Sequence, residues 1–235
     1  MFRFFRLNKI AYYIVLFLYI VLMLTLAILI IANKVAHFVS FVFIALNGAL
    51  SLVFFNKKAD TFICLGLLLT IGADYFLILD GNYTWGLIFF ILAQICYAIR
   101  TIEFAKNKIE MIINPCVRVF LSGIMVLVGW LVLRDSFDVL VALVMIYFSN
   151  LVLSCAFSFI HAKTQYLLAL GFLLFIACDV FVGMDFANKV NLFGTQMVAN
   201  AGSVAWYFYP FSQMLIFLAI FVPYPFKVRF VETSK

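Results

Sequence analysis

Charge is what this chain of 235 residues has least of: Asp, Glu, Lys and Arg together make up 11% of it. A soluble domain carries about 25%, and disordered chains are poor in apolar residues, so a water-soluble globule and a disordered tail are both excluded. Cysteine is also sparse. Cys64, Cys96, Cys116, Cys155 and Cys178 each lie in an apolar run without C-x-x-C spacing, which rules out a disulfide scaffold and reads as five small buried residues. Histidine occurs twice, and nothing around His37 or His161 resembles a zinc or calcium site. No metal and no cofactor are expected.

What is present is hydrophobic (68%) and aromatic (19%), with a mean hydropathy of +1.20. This composition belongs in a bilayer. A helical span needs about 20 apolar residues, so the chain holds at most about ten and leaves little for a soluble domain. Any chemistry falls to side chains inside or at the edge of the membrane.

Apolar runs bounded by polar residues predict eight spans, at 10–32, 36–55, 61–79, 84–105, 115–133, 138–160, 165–183 and 204–222. Together they form one all-α membrane domain over 1–235, with halves at 10–105 and 115–222. The first run follows Arg3, Arg6 and Lys9, but it is too long for a cleaved signal and reads as a retained helix. Pro115 fits the first turn of the fifth helix, while Pro223 and Pro225 stop the eighth. Eight spans put thirteen basic residues on one side, Arg100 and Arg118 among them, against Lys34, Arg134 and Lys189 on the other. The positive-inside rule then places both termini in the cytoplasm of a multi-pass protein, in the cell membrane if the source is bacterial. The net charge of +6 is thereby a topology signal with weak attraction to membrane lipid, and no nucleic acid is expected.

Shifting the chain by 105 residues lays 61–80 on 166–185 with eight of twenty positions identical, including Gly66 with Gly171, Asp74 with Asp179 and Asp80 with Asp185. Apolar matches come cheaply here; matched acids do not. Asn47 and Ser51 in the second span correspond to Asn150 and Ser154 in the sixth, and Gln94 in the fourth to Gln213 in the eighth. The pattern predicts two four-helix halves repeated in the same orientation about an axis along the membrane normal.

Asp74 and Asp179 are the candidate catalytic residues. An aspartate at a helix centre costs about 2.5–3.5 kcal/mol on insertion scales and usually faces a polar interior. Two carboxyls in one low-dielectric pocket do not both ionise cheaply, which supplies a proton donor beside an anionic stabiliser. Such a pair suits acid-catalysed cleavage through a cationic transition state. A polar lining is expected from Gln94 and Tyr97 on the fourth helix, Asn47 on the second, Asn150 on the sixth with Tyr147, Ser154 and Ser158 in its stripe, and Tyr209 with Gln213 on the eighth. Asp80 and Asp185, at the outer ends of the third and seventh helices, are solvated end residues or ligands for a cationic headgroup. The segment 184–203 is long enough to lie over the site as a lid.

The stretches GADYFLIL (72–79), WGLIFFILAQICYAI (85–99), LGFLLFIACDVFVGMDF (170–186) and WYFYPFSQMLI (206–216) resemble the YhhN family, which includes the lysoplasmalogenases. That resemblance implies an eight-span fold and hydrolysis of the vinyl ether bond of a lysophospholipid substrate, giving a fatty aldehyde and a glycerophospho-amine, with Asp74 and Asp179 carried over as the acid pair. The chain departs from the family pattern at Ala73, which separates Gly72 from Asp74, at Cys178 in place of a serine, and at Gln94 where a histidine is expected. Competing readings are a proton-coupled transporter using the acids as a relay, an intramembrane aspartyl protease, and a structural protein whose aspartates join helices; homodimerisation is open. The G-A-D spacing differs from the Gly-x-Gly-Asp of such proteases.

Overall fold

The predicted apolar runs become eight helices in the computed structural model, which describes residues 9–32, 37–54, 60–105, 107–189 and 200–221. They are α1 (Lys9–Ile31), α2 (His37–Phe54), α3 (Asp60–Asp74), α4 (Tyr83–Ile102), α5 (Lys108–Leu133), α6 (Val139–Ile160), α7 (Ala162–Lys189) and α8 (Ala201–Leu218). No strand occurs among the described residues. Six helical segments there are long and apolar enough to cross a membrane: Thr61–Asp80, Tyr83–Ile102, Lys108–Leu133, Val139–Ile160, Lys163–Asn188 and Ala201–Phe221. Shorter apolar stretches lie at Leu16–Leu26 and Phe41–Phe54. The outer surface is apolar too: Phe17, Phe120 and Val119 are exposed, the last at 76%. Exposed patches of this extent need an apolar solvent, as in a multi-pass membrane protein.

Local chemistry sets the helix ends. The Asn107 carboxamide accepts from the Glu110 N–H at 2.8 Å and the Asp138 carboxylate from the Val141 N–H at 2.8 Å, each satisfying a donor that the first helical turn leaves unpaired. Asn82 does the same for Trp85 at 3.3 Å. It follows Gly81, whose φ of 71° closes the preceding helix in the left-handed region that glycine adopts without strain. Only these two residues separate the turn ending at Asp80 from α4.

Several expectations shift. The fifth helix begins at Lys108 rather than 115, because Asn107 caps it, so Pro115 lies inside the helix. The seventh starts at Ala162, with one non-helical residue at Gln165 (φ −129°, ψ 23°), and runs on to Lys189. The first part of the expected lid is therefore helix α7, and α8 begins at Ala201; residues 190–199 lie outside the described residues, as do Pro223 and Pro225. Cys116 is exposed on α5, whereas the other four cysteines are buried. Arg100 and Arg118 are not flanking charges: both are buried within the bundle, at 3% and 5% exposure.

Neighbouring helices pack in series, α1–α2–α3–α4 and α5–α6–α7–α8. The two series are joined by α4 against α5 and α6, and by α8 against α1, α2 and α3. Close approach depends on glycine at the α7–α8 contact, where a Cβ on Gly171 would sit 2.8 Å from Ile216 Cγ1 and 3.1 Å from the Ile216 backbone nitrogen. The core at the centre is aromatic, with Phe43, Tyr97, Phe172, Phe175 and Phe217 almost wholly buried.

Candidate active site

Asp74 is the last residue of α3, and the chain continues from it into a π-helical turn, Tyr75–Asp80. Each π turn holds more residues than an α turn and so rotates the side chains beyond it about the helix axis; such turns are rare and gather at functional sites. Asp74 is buried at 3% exposure, and its Oδ2 accepts the Tyr209 hydroxyl from α8. Asp179, in the C-terminal half of α7, accepts the Tyr147 hydroxyl of α6 at 2.5 Å and is half-buried. The two carboxyls lie within electrostatic reach of each other, and Cys178 within reach of both.

Phe175 joins the two pairs. It stands one helical turn before Asp179, its ring centroid 5.5 Å from Tyr209 and 6.5 Å from Tyr147. Phe90 of α4 closes the same cluster, 5.4 Å from Tyr147 and 5.8 Å from Phe175, and Trp206 meets Tyr209 edge-on at 5.9 Å. Two acids, each with a tyrosine donor, are thus set around an aromatic wall. Around the buried Asp74–Tyr209 pair the wall limits access of water, which strengthens the polar contact there.

The expected lining residues divide by what they touch. Asn47 accepts the Tyr19 hydroxyl and donates to the Phe43 carbonyl at 3.2 Å. Asn150 donates to Ser122 Oγ at 3.1 Å and to the Ile146 carbonyl at 2.8 Å. Both asparagines therefore join helices. Tyr97 packs across Gly66 and against Phe172, at 5.2 Å between ring centroids, and its buried hydroxyl has no hydrogen-bond partner among the described residues. Gln94 and Gln213 differ from the asparagines in the same way: each is buried, at 1% and 0%, and neither amide end has a hydrogen-bond partner among the described residues. Buried amides without partners cost about 1–3 kcal/mol each and usually mark ordered water or a ligand. They lie one turn beyond Phe90 and Tyr209 on their helices. Asp80 is exposed at the end of the π turn, and Asp185 sits inside α7 against Gly202, its carboxyl 3.0–3.1 Å from where a Cβ there would be.

Sequence reasoning placed Tyr147 only in a polar stripe and missed Phe175 altogether. The signal for Tyr147 was its helical register with Asn150 and Ser154; for Phe175 it was a bulky aromatic four residues before a buried acid. The arrangement can hold a proton on one carboxyl, keep the other as an anion, and orient both through tyrosine hydroxyls.

No curated protein and no solved structure matches the chain. The sequence does match a family over residues 18–220, which takes in both aspartates, both tyrosines and both glutamines, and the chain accordingly belongs to the YhhN family.

Proposed function

We propose that this protein is an integral membrane hydrolase that cleaves the vinyl ether bond of a lysoplasmalogen with Asp74 and Asp179. The observation that carries the reading is the pair of carboxyls, each held by a tyrosine hydroxyl, with Phe175 against both tyrosine rings. A vinyl ether is cleaved by protonation of its outer alkene carbon, which creates an oxocarbenium ion at the carbon bonded to oxygen. Water adds there, loses a proton, and the hemiacetal collapses to a fatty aldehyde and the glycerol hydroxyl. One carboxylic acid donates the first proton, and its ionised partner stabilises the cation and takes the proton from water. Asp179, which keeps some exposed surface, is the member open to a substrate; Asp74 stands behind it.

Eight membrane spans, arranged as two like-oriented halves with both termini in the cytoplasm, belong to the same proposal. Packing supports the repeat. The α1–α2 bond from Tyr19 to Asn47 corresponds at a shift of 103 residues to the α5–α6 bond between Ser122 and Asn150. Gly66 meets Tyr97 as Gly171 meets Ile216, and Tyr97 and Ile216 are related by the shift that relates Gln94 to Gln213. Setting aside the two buried arginines, the basic residues still divide eleven to three.

The test is aldehyde release by the purified protein from a lyso-vinyl-ether lipid, with ester and saturated-ether lysolipids as controls. Aldehyde from the vinyl ether alone, lost in both Asp74→Asn and Asp179→Asn, is the expected result. Activity retained in both variants, or aspartate-dependent proton flux in liposomes without aldehyde release, would overturn it.

A further inference from the structure

Arg118 is a buried cation that no carboxylate neutralises among the described residues. Its Nε donates to Asn114 Oδ1 at 2.7 Å, Nη1 to the Asn150 carbonyl at 3.1 Å and to Ser154 Oγ at 3.0 Å, and Nη2 to Thr101 Oγ1 at 3.1 Å. These are all neutral acceptors. A guanidinium has five N–H donors, so these four bonds leave one N–H over; the Phe157 ring lies 5.6 Å from Cζ and offers a π face, but no anion offsets the charge among the described residues. Nearby in the chain, Glu110 Oε1 lies 2.5 Å from His161 Nε2. At the 103-residue shift that relates Asn47 to Asn150, Arg118 falls on Val15 and Asn114 on Ala11, so the cation belongs to one half alone.

Its depth matters. Thr101 is one residue from the end of α4, Asn114 six from the start of α5 and Ser154 six from the end of α6. At 1.5 Å per residue the guanidinium therefore lies within about 9 Å of the helix ends on one side of the bundle. That is close to where lipid phosphates lie at a bilayer surface about 5–8 Å thick on each side. A groove of about 380 Å³ runs from this point between α5 and α6, lined by Arg118, Val119, Ser122, Gly123, Val126 and Asn150. From Arg118 to Val126 it extends about 12 Å toward the membrane centre. One end is cationic and polar; the rest is apolar, and the direction of a Gly123 side chain is open space.

We propose that this groove binds a phospholipid from the adjoining leaflet, with the phosphate on Arg118 and an acyl chain along Val119, Gly123 and Val126. The phosphate supplies the missing negative charge and accepts the remaining N–H, and the chain fills the apolar length. A free inorganic phosphate would satisfy the first and leave the second empty. Binding here is independent of vinyl ether hydrolysis, since it takes place at a face of α5 and α6.

Native mass spectrometry of the full chain in a non-ionic detergent tests it, using lysophosphatidylglycerol and a monoacylglycerol with the same chain. The wild type should bind the phosphate lipid more tightly by about tenfold or more, the scale of one charge-assisted hydrogen bond. Arg118→Gln should bring the two lipids to parity, and Gly123→Leu, which fills the groove from its open side, should weaken both. Asp74→Asn should leave the preference unchanged, so loss of hydrolysis and loss of binding are separately read. Equal binding of the two lipids by the wild type would overturn the proposal, as would undiminished binding to Gly123→Leu or displacement of the lipid by an equal concentration of inorganic phosphate. If Arg118→Gln fails to fold, Gly123→Leu and the wild-type comparison still decide.

Discussion

Replacing Tyr209 by phenylalanine removes one oxygen atom and leaves the ring against Phe175 and Trp206 in place. The oxygen is the donor to Asp74, a carboxyl so buried that water has little access to replace it. Removing the donor leaves a buried carboxyl oxygen unsatisfied, which costs about 1–3 kcal/mol. If that energy stabilises the reacting arrangement, aldehyde release should fall by about 5- to 150-fold, at 1.36 kcal/mol per factor of ten. The same change at Tyr147 serves as the internal comparison. Asp179 is only half-buried, so water can take over the lost donor, and Tyr147→Phe should cost nearer 0.5–1.5 kcal/mol, less than about 15-fold. The assay is initial-rate aldehyde release from a lyso-vinyl-ether lipid at saturating substrate, for both single variants and for Tyr209→Phe combined with Asp74→Asn. Because Tyr209 acts through Asp74, the double variant should be no slower than Asp74→Asn alone. A larger loss in Tyr147→Phe than in Tyr209→Phe, or losses that multiply in the double variant, would refute the argument from burial.

Gly171→Ala should lower the midpoint of thermal unfolding in detergent, since the new Cβ meets backbone atoms of α8 at 3.1–3.2 Å and overpacking of this kind costs about 1–3 kcal/mol; Gly183→Ala, with nothing within 4 Å, should not. Gln213→Met removes a buried amide with no protein partner among the described residues, so unfolding should occur at an equal or higher temperature while aldehyde release falls; lowered stability would show that the amide has a structural partner. Asp138→Ala removes the cap of α6 and should cost about 1 kcal/mol, read as a lower unfolding midpoint with no change in substrate preference.

The acids were legible because an aspartate inside an apolar run has few innocent explanations, and the repeat singled out two of them. Helix existence was legible for the same reason that composition was, in the length of the apolar runs. Boundaries were less so. Pro115 drew the start of the fifth helix inward, although Asn107 with Glu110 three residues on carries the capping signal. The seventh helix outlasts its apolar run because Asp185, Asn188 and Lys189 do not interrupt a helix. Arg118 looked like a flanking charge, and only the convergence of α4, α5 and α6 reveals the acceptors that hold it inside. The π turn after Asp74 leaves no trace in hydropathy, since it changes hydrogen-bond register and not composition. Which tyrosine serves which aspartate depends on packing between helices distant in the chain.

That last pairing has a consequence for the order in which the protein is made. Chains emerge N-terminus first, at about 5–20 residues per second. Asp179 meets a donor 32 residues before it, already synthesised when it emerges. Asp74 waits for a tyrosine 135 residues later, on the last of the eight helices. The nascent protein must therefore hold an acid in its first half without that partner until α8 arrives, and a chain truncated before Tyr209 has one finished carboxyl and one that is not.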